Sequence, residues 1–135
     1  MRQLICGPPC SGKTTLALKM QAQQGGVVID HDLIAQQLGS PTSHHHGQAL
    51  RDQAERVISE LLRQVERGEH EHAWIVRGLP NPTLRQALAD RLSAEIVLLN
   101  PPRATLLARA QQRPRPDRTV WLIDRWLKQS SPFGG

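Results

Sequence analysis

Aromatic residues are scarce in this chain: its 135 residues include no tyrosine, one phenylalanine and three tryptophans. A surface that stacks successive bases of a single strand needs more rings than this, so a dedicated stacking platform is not indicated. Trp74, Trp121 and Trp126 all fall in periodic apolar segments and are expected in the core or at its edge. Cysteine is as rare, with only Cys6 and Cys10. Both flank a glycine-bearing loop whose backbone a disulfide would distort, which predicts free thiols in a reducing compartment and no redox role. No apolar run approaches the roughly 20 residues that span a bilayer, and the loop begins too near the N-terminus for a secretory signal. These absences leave out a membrane partner and predict a cytoplasmic protein.

What is present fits one compact domain covering residues 1–135. Hydrophobic residues make up 39% and charged ones 21%, near globular norms, which argues against disorder or a fibre. The net charge of +5 is unevenly spread. Residues 1–102 hold ten Lys plus Arg and ten Asp plus Glu, whereas 103–128 holds seven bases and two acids. Such a local positive field suits phosphate, on a nucleotide or on a nucleic-acid backbone; the blander reading is a solvated basic helix.

Gln3–Cys6 is a short apolar run that ends at Gly7, as a buried strand entering a tight loop would. From Gly12 the pattern turns helical, with Leu16, Ala17, Met20 and Ala22 for one face, and Gly25-Gly26 ends it. Val27–Asp30 predicts a second strand, and a short helix follows through Leu38. The turn formers of 39–47 predict a loop. Apolar residues from Leu50 to Val65 at three- and four-residue steps predict a long helix over about 48–67. Ala73–Val76 and Glu95–Leu99 complete four strands, with a helix between them that starts at Asn81-Pro82, an N-cap followed by proline. Asn100-Pro101 repeats that start signal before a helix through Arg113, which Pro114 and Pro116 break. A last helix covers about 118–129, and 130–135 reads as a flexible tail. Apolar strands alternating with helices predict an α/β fold with a parallel sheet covered on both faces.

The loop Gly7-Pro8-Pro9-Cys10-Ser11-Gly12-Lys13-Thr14 has the form G-x-x-x-x-G-K-[ST], with a strand before it and a helix after. Its glycines let backbone N–H groups cradle phosphates, and the positive end of the following helix adds to their field. The ligand expected is ATP with magnesium, with Lys13 reaching the β- and γ-phosphates, Thr14 a metal ligand and Thr15 beside it. Asp30 and Asp32 stand at the end of the second strand, where ligands of open parallel sheets bind. We expect Asp32 to act as a base toward an attacking hydroxyl and Asp30 to support the metal; for either residue the alternative is a helix cap. Arg109 and Arg113, four apart, are expected on one helix face, within a lid spanning 103–118 that closes on the triphosphate. His44, His45 and His46 lack a metal-ligand spacing and read as a solvated loop on the substrate side.

With these residues in place, the chain resembles the small P-loop kinases, and most closely the kinase domains of bacteriophage polynucleotide kinases. The likeness runs from GPPCSGKT through VVIDHD and NPTLRQAL to LARAQQRPRPDR. It implies a three-layer P-loop fold, an ATP-dependent transfer to a nucleic-acid 5′-hydroxyl activated by Asp32, and Arg113 as lid arginine with Arg109 one turn earlier. Two positions depart from the family: Ala35 replaces an arginine that contacts a substrate phosphate, and Arg77 stands where the third strand ends in aspartate. Arg77-Gly78-Leu79-Pro80 also resembles the Asp-Gly-Phe-Pro turn of nucleoside monophosphate kinases, so Arg77 is expected to bind a substrate phosphate. A nucleoside, nucleotide or modified-base kinase, and an ATPase with no acceptor but water, remain the alternatives.

Overall fold

The computed structural model describes residues 1–41 and 46–131. Its elements run β1 (Arg2–Cys6), α1 (Lys13–Gln24), β2 (Val27–Ile29), α2 (His31–Gln37), α3 (Gln48–Glu66), β3 (Ala73–Arg77), α4 (Pro82–Leu92), β4 (Glu95–Leu98), α5 (Arg103–Ala110) and α6 (Pro116–Ser130). The four strands form one parallel sheet in the order β2-β3-β1-β4. This is the expected α/β architecture, with the sheet and layers of a P-loop NTPase. No helix among the described residues is long and apolar enough to cross a membrane.

Strand residues alternate between faces, and β1 shows the consequence. Leu4 and Cys6 pack on one side with Ile75, Ile29 and the inner faces of α2, α3 and α4. Ile5 points the other way, to Trp74, Val76 and Ala17 of α1. The register sets Leu4 beside Ile75 and Ile96, and Ile5 beside Val76 and Val97. β1 and β3 are the central strands, and their buried stretches, Leu4–Cys6 and Ala73–Val76, are correspondingly apolar. A third cluster, Cys10, Leu106, Ala110 and Ile123, joins α5 and α6 to the phosphate loop.

The start signals of the helices were unequal guides. Asn81 caps α4 as expected, its side chain accepting from the backbone N–H groups of Thr83 and Leu84 at 2.9 and 3.1 Å. Asn100 does not cap α5; that helix starts three residues later behind Pro102, with no side-chain cap. It also ends at Ala110 instead of continuing to Arg113, and Pro116 opens α6 at a first-turn position instead of merely breaking a helix. The proline ring fixes the φ that a first helical turn needs, so it starts helices as readily as it stops them. Ser130 belongs to α6 rather than to a tail, and the rest of that expected tail from 132 on lies outside the described residues.

Trp74 is fully buried and its indole N–H donates to Gly25 O at 2.9 Å. Trp126 is buried too and donates to Gly78 O at 2.9 Å. Trp121, expected in or near the core, is instead 54% exposed, with the Arg125 guanidinium 5.3 Å from its ring centre. Gly26 shows why a Gly-Gly pair ends α1: its φ is +96°, and a Cβ there would lie 2.3 Å from His72 O.

Ile75 is fully buried on the central strand and Leu84 is 59% exposed on α4. We predict that Ile75→Ala costs about 2–5 kcal/mol, whereas Leu84→Ala stays within roughly 0.5 kcal/mol. Urea unfolding with an unchanged slope and a shifted midpoint for the first variant alone is the check.

Candidate functional site

The phosphate loop hangs from the carboxyl end of β1 and delivers the chain to α1 under tight steric limits. A Cβ at Gly7 would lie 2.3 Å from Leu99 O and 2.7 Å from Ser11 Oγ, so only glycine fits there. Gly12, the residue before α1, has φ +94°. Cys10 also sits in the left-handed region, at φ +68°, without glycine's freedom. Such an outlier persists only where its surroundings hold it. Here Cys10 is buried with Leu106, Ala110 and Ile123, and Arg109 donates to its carbonyl at 2.9 Å.

Lys13 Nζ donates to Gly7 O and Pro8 O, both at 2.9 Å, arching over the loop. Burial pushes its pKa down from 10.5 to about 8, against the pull of Asp30, Cys6 and Cys10 and with some help from Arg113. Ser11 Oγ is buried without a hydrogen-bond partner. An unsatisfied buried hydroxyl costs roughly 1–3 kcal/mol, and a phosphate oxygen is a partner that would relieve it.

Thr14 Oγ1 donates to Asp30 Oδ2 at 2.5 Å, while Asp30 Oδ1 accepts from Leu33 N at 3.0 Å. Asp30 is 3% exposed, so both oxygens of a buried carboxylate are engaged. The two readings of this residue are not exclusive: it caps α2 and also touches the residue expected to hold the metal. A hydroxyl and a carboxylate oxygen side by side are hard oxygen donors, the kind Mg²⁺ takes from protein while phosphates and water complete its shell.

Asp32 lies in the first turn of α2, its side chain 42% exposed. The structure gives it a partner that the sequence did not announce. His46 Nε2 is 2.8 Å from Asp32 Oδ1, and His46 Nδ1 is 2.6 Å from Ser40 Oγ. The His46 side chain is only 2% exposed, so it is not part of a solvated run; His44 and His45 lie outside the described residues. His31, Asp32 and His46 bring ligand-type atoms within 4.8 Å of one another, with His31 also 3.6 Å from Glu55.

These groups share one cavity of about 710 Å³. Its walls include the loop from Pro9 to Thr15, Asp30, Asp32, His46 and Arg77, and on the far side Arg113, Pro114, Arg115 and Arg118. Six basic side chains, Lys13, Arg51, Arg77, Arg113, Arg115 and Arg118, face two carboxylates, an imbalance that favours a polyanion. Pro8 is fully buried behind the loop and Gly7 borders a smaller cavity on its other side.

The expected pairing of Arg109 and Arg113 on one helix face does not occur. α5 stops at Ala110, so Arg113 sits in the connection to α6 and lines the cavity, while Arg109 is spent on the Cys10 carbonyl. Within the segment 103–118 expected as a lid, Leu106 and Ala110 of α5 are fully buried against α6 and the loop. Arg51 has no distinguishing signal in the sequence, where it belongs to the polar face of a long amphipathic helix. Arg118 likewise reads as one more base in a basic segment. Only the fold brings them to the same wall.

A family model described as "AAA domain" matches residues 3–130, nearly the whole chain and every element above. A search of the curated proteins found none that matches.

The lowered pKa of Lys13 gives a signed prediction. An anionic phosphate favours the ammonium form, so ATP binding raises that pKa and takes up a proton wherever the free lysine is partly neutral. Calorimetry in buffers of different ionisation enthalpy should show uptake of about 0.5–1 proton near pH 9 and none from this group near pH 6. Uptake that is the same at both values would contradict it.

Proposed function

Given that the chain belongs to the AAA domain family, we propose that it is an ATP-dependent phosphotransferase acting on the 5′-hydroxyl of a nucleic acid. The observation that carries this reading is the shared cavity: the phosphate loop and Asp32 line the same space, bridged by Thr14 and Asp30. Lys13, the backbone of 9–14 and Thr15 hold the donor phosphates. Thr14 and Asp30 hold magnesium, which when bound neutralises phosphate oxygens. Asp32 takes the proton of the acceptor hydroxyl as its oxygen forms a bond to the γ-phosphorus and the bond to the β,γ-bridging oxygen breaks. Arg113 stabilises the charge that develops in transit. Arg109 supports the loop from behind by holding the Cys10 carbonyl.

On the acceptor side Arg77 ends β3, and Arg51 opens onto the same wall from α3. They supply the positive charge that Ala35 cannot, since Ala35 is fully buried in the core on α2. Two cations beside the base favour an acceptor that carries its own phosphate, as the first internucleotide linkage of a strand does. A nucleotide acceptor shares this feature and is the second reading, favoured by the position of Arg77 at the cavity's sheet end.

The test is transfer from γ-labelled ATP with magnesium to 5′-hydroxyl DNA, 5′-hydroxyl RNA, nucleotides or no acceptor. Label on a strand 5′ end supports the reading; label on free phosphate alone leaves an ATPase. Asp32→Asn is expected to lower transfer by about 10²–10⁴ and Arg113→Ala by about 10²–10³, with ATP affinity kept in the first variant. Full activity of Asp32→Asn would remove Asp32 as the base.

A further inference from the structure

Asp32 is a carboxylate at the mouth of a cavity, nearly half exposed, on the first turn of a seven-residue helix. His46 reaches it from 14 residues away, out of the connection between α2 and α3, and meets it at 2.8 Å. The imidazole is almost wholly shielded, and both of its nitrogens are engaged, Nε2 by Asp32 and Nδ1 by Ser40 Oγ at 2.6 Å. Ser40 is itself pinned by its backbone N–H, which donates to Ala35 O at 3.0 Å at the end of α2. The two ends of the Ser40, His46, Asp32 chain thus both rest on α2, and the ring closes between them.

We propose that His46 is a positioning residue for Asp32, helping to fix the carboxylate in the orientation from which it takes the acceptor proton. This rests on the reading of Asp32 as the base. An ionised carboxylate only accepts hydrogen bonds, so the tautomer that fits has its proton on Nε2, donated to Asp32 Oδ1, and Nδ1 accepts from the Ser40 hydroxyl. With Nε2 already protonated toward Asp32, the ring cannot receive a proton from that carboxylate, so its role is orientation rather than proton relay. A hydrogen bond to an ionised oxygen is among the stronger kinds available, and displacing a catalytic group by about 1 Å can cost on the order of 10²-fold in rate.

The choice of positioning over plain structural support is testable by the pattern of kinetic effects. With a strand or nucleotide acceptor, His46→Ala should lower kcat roughly 10- to 100-fold with the KM for ATP within about twofold, because Lys13 and the loop are untouched. His46→Gln places an amide N–H near the Nε2 position and should recover most of kcat. Thermal unfolding of both variants excludes collapse of the fold, and Ser40→Ala, which frees the far end of the ring, should give a smaller loss in kcat alone. Asp32→Asn is run beside them. If Asp32→Asn is inactive and His46→Ala keeps full kcat, His46 does not position the base. If His46→Ala and His46→Gln fall equally, or if the loss appears in the KM for ATP, the role is structural and the proposal fails. If Asp32→Asn itself remains active, the fault lies with the reading of Asp32.

Discussion

The hydrogen bond from Thr14 to Asp30 is the constraint on which the site depends. It ties the first turn of α1, and with it the phosphate loop, to the carboxyl end of β2. The same carboxylate caps α2 through Leu33 N, so it also fixes where Asp32 stands two residues later. The strand order then matters. β3 lies between β2 and β1, so Arg77 at the end of β3 sits between the aspartates and the phosphate loop. Phosphate loop, Arg77 and the aspartates follow one another across the carboxyl edge of the sheet, where open parallel sheets bind their ligands.

The loop carries several costs that an anion would offset. Cys10 is held in a left-handed conformation, Ser11 Oγ is buried without a partner, and Lys13 is desolvated far enough to lower its pKa to about 8. Each disfavours the free loop, and each is tolerated because the surroundings are rigid: Arg109 grips the Cys10 carbonyl, and Leu106, Ala110 and Ile123 pack beneath it. α5 and α6 therefore buttress the loop, and the short connection between them carries Arg113, Pro114 and Arg115, which line the cavity.

The fold and the phosphate loop were legible because local signals and tertiary structure agree there. Apolar runs became strands, Gly25-Gly26 ended α1, and Asn81-Pro82 started α4. Asn100-Pro101 has the form of Asn81-Pro82, yet α5 begins only at Arg103, and because it ends at Ala110 Arg109 and Arg113 do not share a helix. Three other positions lack that agreement. His46 lies in a histidine run with no spacing code, Arg51 lies on a helix face that looks like ordinary solvent surface, and Trp121 has the period of a core residue but points outward. How the elements pack decides all three, and no local pattern encodes it.

A crystal structure with a non-hydrolysable ATP analogue and magnesium tests the central claim most directly. The account predicts triphosphate along the backbone of 9–14, with a lone pair of Thr14 Oγ1 on the metal while its proton still points to Asp30. A triphosphate bound elsewhere in the cavity, or a metal that Thr14 does not touch, would contradict it.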